Sequence, residues 1–143
     1  MTAGSVVGTQ EYVPTDMNDI VHTVAGRSWP YLTTETDCDL PQVRGNQERL
    51  TDVLSALLLR AERSVALAGG TSGMIRIRTW LTGDQVRVTL SHNGLDSSTS
   101  APCLSLIECA EIISDHGGRM FSWRPYANGA SYTIVLPATR TDN

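Results

Sequence analysis

No stretch of this chain is apolar for long enough to span a bilayer, and Met1-Thr2-Ala3-Gly4 has none of the pattern of a signal peptide. Membrane insertion is therefore not expected, and any membrane sensor is expected to lie outside this sequence. Basic runs are missing as well. Arg76, Arg78 and Arg87 are interspersed with apolar residues, whereas a nucleic-acid surface needs a denser basic stripe, so no nucleic-acid partner is expected. Cysteine is scarce: Cys38, Cys103 and Cys109 are odd in number and none is spaced as CxxC. This argues against a disulfide scaffold and a zinc site. It fits three small core-filling thiols in a reducing cytoplasm.

What is present suits a single core. The chain has 143 residues, 41% of them hydrophobic, and a net charge of −4; two domains of half that length would each be marginal. Residues 1–13 are small and polar without periodicity and read as a loose leader, while 138–143 read as a polar tail, leaving 14–137 for the fold. Pro14-Thr15-Asp16 offers a helix start, and Met17, Ile20, Val21 and Val24 make one apolar stripe ending near Gly26. Pro30 and Pro41 limit any strand between them to an edge.

The strongest helix signal begins at Asn46, a good N-cap with Glu48 in the first turn. Leu50, Val53, Leu54, Leu57, Leu58, Ala61 and Val65 give it a wide apolar face, and Gly69-Gly70 is its expected stop. A hairpin follows, with Ile75, Ile77, Thr79 and Leu81 alternating, a turn at Thr82-Gly83-Asp84, and a return through Val86, Val88 and Leu90. Residues 91–102 read as a polar loop. The second long helix is expected over 103–116, with Leu106, Cys109, Ala110 and Ile113 on its stripe and Gly117-Gly118 at its end. A last hairpin runs from Met120, turns at Asn128-Gly129, and returns along Tyr132 to Leu136. One mixed sheet with its helices on one face, a two-layer α/β sandwich, buries these stripes economically.

Four words in this order resemble the catalytic, ATP-binding domain of sensor histidine kinases, a Bergerat-type ATPase fold. They are Pro14-Thr15-Asp16-Met17-Asn18-Asp19-Ile20-Val21, Asp39-Leu40-Pro41-Gln42-Val43-Arg44-Gly45-Asn46, Glu111-Ile112-Ile113-Ser114-Asp115-His116-Gly117-Gly118-Arg119-Met120 and Gly129-Ala130-Ser131-Tyr132-Thr133-Ile134-Val135-Leu136-Pro137. The third is the most specific. The resemblance covers nearly everything after Val13 and implies the two-layer fold just described.

The polar words of that family do not carry over. Its long helix presents a magnesium-binding asparagine, often with a polar residue one turn earlier; the matching positions are Arg60 and Ala56. Arginine has no lone pair for a metal and alanine cannot orient a water. The family's adenine-binding Asp-x-Gly-x-Gly is matched by His92-Asn93-Gly94-Leu95-Asp96, where only Gly94 survives and Asp96 brings negative charge towards the phosphates. Its Gly-x-Gly-Leu, which lets backbone N–H groups meet phosphate at a helix start, is matched by Cys103-Leu104-Ser105-Leu106. His22, followed by Thr23-Val24-Ala25, does not match the phosphoacceptor context, and His116 is expected to be structural.

The resemblance therefore implies a degenerate kinase-like domain that signals through a protein partner: a histidine kinase, a response regulator or another domain of its own chain. No cofactor is expected, and the short loop with Leu95, Ser97, Ser98 and Thr99 offers a contact surface. ATP with magnesium enters only under the alternative of a drifted but working nucleotide site. A small anti-sigma-type kinase, also one Bergerat domain, is disfavoured by the same losses. A monomer is expected.

Overall fold

The leucine-rich stripe that begins at Leu50 becomes the longest helix of the computed structural model, which describes residues 12–26, 32–67, 73–95, 104–123 and 128–139. In chain order the elements are β1 (Val13–Thr15), α1 (Met17–Ala25), β2 (Leu32–Glu35), β3 (Val43–Gly45), α2 (Gln47–Leu67), β4 (Ile75–Thr82), β5 (Gln85–Leu95), α3 (Leu106–Asp115), β6 (Arg119–Trp123) and β7 (Asn128–Pro137). Strands β2-β4-β5-β7-β6 form one five-stranded sheet, with β2 parallel to β4 and every other neighbour antiparallel. The two-layer mixed sandwich expected from the sequence is what forms.

Local chemistry starts and stops the helices. Asp16 caps α1 by accepting from the Asn18 N–H at 2.9 Å, and Met17, Ile20, Val21 and Val24 are the side chains that α1 buries. Asn46 caps α2, its Oδ1 accepting from the Arg49 N–H at 3.0 Å. The stripe from Leu50 to Val65 is buried against the inward faces of the strands, where Ile75, Ile77, Val86, Val88 and Leu90 alternate with outward polar residues. Helix α3 closes with Gly118 N–H on Ile113 O and Gly117 N–H on Ser114 O, the paired bonds of a Schellman end. Gly117 supplies the positive φ, +78°, that this end needs.

Several expectations change at the edges. Val13, assigned to the leader, pairs with Gly45 in a small second sheet of β1 and β3. The strand β5 runs on to Leu95, which pairs with Asn128 of β7 past a register shift after His92. Asn93 bonds Met74 twice, accepting from its N–H through Oδ1 and donating its own backbone N–H. Helix α3 starts at Leu106 and not at 103, since Ser105 caps it. Asn128-Gly129 lies inside β7, so the hairpin connection falls earlier, at 124–127, outside the described residues. Ala138 N–H donates to Asp84 O at 2.9 Å and Thr139 N–H to Gln42 O at 2.7 Å, which fastens two residues assigned to the tail. Cys38 is exposed and fills no core, unlike buried Cys109; Cys103 and the Gly69-Gly70 stop lie outside the described residues.

His116 ties the two longer helices together. Its Nδ1–H donates to Ile112 O at 2.7 Å, and its Nε2 accepts from the Asn46 N–H at 3.0 Å, so the ring is held neutral. Tyr12 packs on it at 4.6 Å. Burial lowers the pKa of His116, with nearby Arg49 acting in the same sense; the Ile112 carbonyl and Asp115 oppose them. In the unfolded chain the ring titrates near its ordinary value of about 6.5. The unfolded state therefore binds the extra proton first, and stability falls as pH drops below about 6.5 towards the depressed folded value. Urea unfolding between about pH 7.5 and 5.5 is expected to show this slope, and His116→Gln to flatten it. An unchanged slope in the variant would refute the assignment.

Candidate functional site

Ala56, Arg60 and Ser64 are spaced four apart and therefore stack along one face of α2. Ala56 is only 2% exposed and belongs to the core cluster, so no polar group stands at that turn. Arg60 is partly exposed, and its Nε is buried with no hydrogen-bond partner among the described residues. Ser64 is buried where the helix meets β5.

The meeting point is Gly94. A Cβ built there would lie 2.3 Å from Ser64 C and 2.4 Å from both Ser64 O and Val65 N. Strand and helix are in backbone contact, and glycine is the only residue that the gap admits. Gly94, the one residue of the Asp-x-Gly-x-Gly word to match, holds the two elements together. Its N–H donates to His92 Nδ1 at 2.9 Å.

His92 is buried, 7% exposed, with the Tyr132 ring centred 6.3 Å away. Because Nδ1 accepts from Gly94, the neutral ring carries its proton on Nε2. That nitrogen is a donor, so it does not reproduce the carboxylate that accepts from an adenine amino group. Asn93 spends its side chain on the Met74 N–H at 2.8 Å. Asp96 and Cys103 lie outside the described residues.

Ser105 stands at the start of α3 in a reciprocal capping box. Its Oγ accepts from the Glu108 N–H at 3.0 Å, and the Glu108 carboxylate accepts from the Ser105 N–H at 2.8 Å. The positive end of the helix dipole thus already faces an anion of its own chain. Glu108 was not singled out from the sequence, although Ser105-Leu106-Ile107-Glu108 carries the S-x-x-E signal.

The cavities among the described residues do not gather the predicted positions. One of about 280 Å³ is lined by Ser91, His92, Asn93, Trp123, Gly129, Ala130 and Ser131. A second of about 250 Å³ shares His92 and Asn93 with Met74 and Arg76. His92 and Asn93 are brought together at the end of the sheet; Ala56, Arg60 and Ser105 line neither.

No family model matches the chain, and no curated protein matches it. Solved structures do. The nucleotide-free catalytic domain of the histidine kinase ThkA superposes with a TM-score of 0.75 at 22% identity, covering 91% of this chain and 99% of that one. The histidine kinase domain of the E. coli osmosensor EnvZ gives 0.68 at 16% identity, covering 93% and 92%. Acinetobacter baumannii AdeS gives 0.68 at 19% identity, covering 90% and 68%. The fold is that of histidine-kinase catalytic domains.

Two substitutions check the roles of these positions. Gly94→Ala forces an atom into the backbone of α2 and is expected to cost about 1–3 kcal/mol. Ser105→Ala removes the cap and is expected to cost about 1 kcal/mol. Urea denaturation reads both, and a Gly94→Ala protein of unchanged stability would disprove the close contact.

Proposed function

We propose that this chain is a signalling module of the two-component type, in which a histidine-kinase catalytic fold works through protein contacts and does not hydrolyse ATP. The capping box on α3 carries the reading. In the family that the sequence resembles, a glycine-rich start to this helix lets backbone N–H groups meet phosphate oxygens. Here Glu108 brings its own carboxylate to the same place. A phosphate would have to displace a charge-assisted hydrogen bond and approach against like charge.

The other positions support the same conclusion. Arg60 offers donors and no lone pair where a magnesium ligand is needed. Ala56 lies in the core, and His92 Nδ1 is engaged by Gly94. The partner is a histidine kinase, a response regulator or another domain of the same chain. Among the similar structures, ThkA is seen in complex with the response regulator TrrA, at a TM-score of 0.69 and 20% identity.

One observation favours a second reading, that of a drifted nucleotide site. Arg60 Nε is buried with no hydrogen-bond partner among the described residues. Under this reading its guanidinium would meet phosphate directly and take the place of magnesium.

Calorimetric titration with ATP and with ADP, each with magnesium and with chelator, separates the two. No heat at millimolar nucleotide is the expected result. Binding that persists without magnesium and disappears in Arg60→Ala would establish the drifted site and overturn the proposal.

A further inference from the structure

Strand alternation turns every second side chain of the five-stranded sheet away from the helices. Register then lines these side chains up in rows. Arg78 stands level with Thr89, Thr133 and Phe121, and Trp80 with Arg87, Val135 and Arg119. Arg76, Ser91, Ser131 and Trp123 make a third row. On the central strands Ser91, Ser131, Thr89 and Thr133 give a low floor, with the Thr89 and Thr133 hydroxyls 3.1 Å apart, and at its far end Arg87 rises from β5 beside the buried Val135. Long side chains of β4 and β6 wall the floor on both sides, with Phe121 45% and Trp123 66% exposed. The outcome is a trough three strand spacings wide, about 14 Å.

The trough is basic. Among the described residues Arg76, Arg78, Arg87 and Arg119 face outward against Glu35 alone, a local charge of +3 on a chain whose total is −4. The Arg78 guanidinium lies 4.6 Å from the Trp80 ring and that of Arg119 5.2 Å from Phe121. Arg76, Arg78, Trp80, Thr89 and Ser91 surround a cavity of about 130 Å³. That is room for about four waters, or one carboxylate side chain. Arg87 Nε is buried with no hydrogen-bond partner among the described residues. All 11 cationic residues of the chain are arginine, the side chain whose planar fork matches a carboxylate.

We propose that this outer sheet face is the docking surface for an acidic α-helix of a protein partner. The proposal rests on the protein-contact function above for the class of partner, and on the trough for its shape and charge. A helix with its side chains is about 10–12 Å across and rests along the trough with one face turned down between walls that rise from strands about 14 Å apart. Arg76 is already paired with Glu35 at 2.6 Å, so the helix carboxylates meet Arg78 on one wall and Arg119 on the other, while its apolar stripe lies over Phe121 and Trp123. A single-stranded nucleic acid is less favoured because guanidinium groups already lie over the rings of Trp80 and Phe121, which leaves Trp123 for base stacking.

The test uses the whole chain, labelled with ¹⁵N. The probe is a stapled amphipathic peptide of about 18 residues with glutamates flanking a leucine stripe. Its glutamine counterpart and a short oligothymidylate serve as comparisons. Binding of the glutamate peptide is expected to shift the resonances of Arg78, Thr89, Thr133 and Phe121. Affinity is expected to weaken about tenfold or more with the glutamine peptide, in Arg78→Glu/Arg119→Glu, and again at raised salt. Should charge reversal unfold the sheet, Arg119→Gln with an unchanged amide spectrum supplies the comparison. Equal binding of the glutamine peptide, shifts confined to the helical side, tighter oligothymidylate binding, self-association through this face, or no binding would each overturn the proposal. An ATP titration on the same sample separates the two readings. Silence with both ligands removes the docking surface alone, and heat with ATP removes the proposed function alone.

Discussion

At Gly94 the backbone of β5 touches the backbone of α2, and no side chain separates them. Helix and sheet are elsewhere held apart by the leucines, isoleucines and valines that fill the layer between them. The direct contact sets the C-terminal half of α2 down on the last residues of β5. Everything beside it inherits that geometry: Arg60 lies one turn back along the same helix face, and His92 turns its ring to accept from the Gly94 N–H. A position that resembles part of a nucleotide-binding word thus acts here as a spacer of minimal thickness.

The fold and the polar positions of the site draw on different residues. The core is apolar stripes on α1, α2 and α3 against alternate residues of the strands. None of it depends on an asparagine at position 60 or a glycine at 105. Two of these site positions contribute locally, since Ala56 packs in the core and Ser105 caps a helix.

The sequence made the helices and the central hairpin readable because one periodicity dominates each. The leucine stripe of α2 and the alternation of Ile75, Arg76, Ile77 and Arg78 have no competing interpretation. The short strand β1 and its pairing with β3 were not readable, since three residues carry no period and the pairing is set by distant chain. The extent of β5 depends on Leu95 meeting Asn128 past an irregularity after His92, a tertiary pairing that no local pattern announces. Of the site, the substitutions at 56, 60, 92 and 105 were visible as residues, but their new roles were not. Glu108 is announced by a local S-x-x-E pattern, yet that its carboxylate caps the start of α3 is seen only in the fold. The outer face of the sheet was not legible because arginines spread over three strands look sparse along the chain and dense only across it.

Both ends of the described fold arrive at one strand. Val13 pairs with Gly45 and Ala138 bridges to Val43, so entry and exit lie two residues apart along β3. Flanking segments would leave side by side, as the two leads of a plug do. Traction on them would be borne first by the hydrogen bonds of β3. Once those bonds give way, the load passes through Pro137 into β7, an interior strand of the five-stranded sheet.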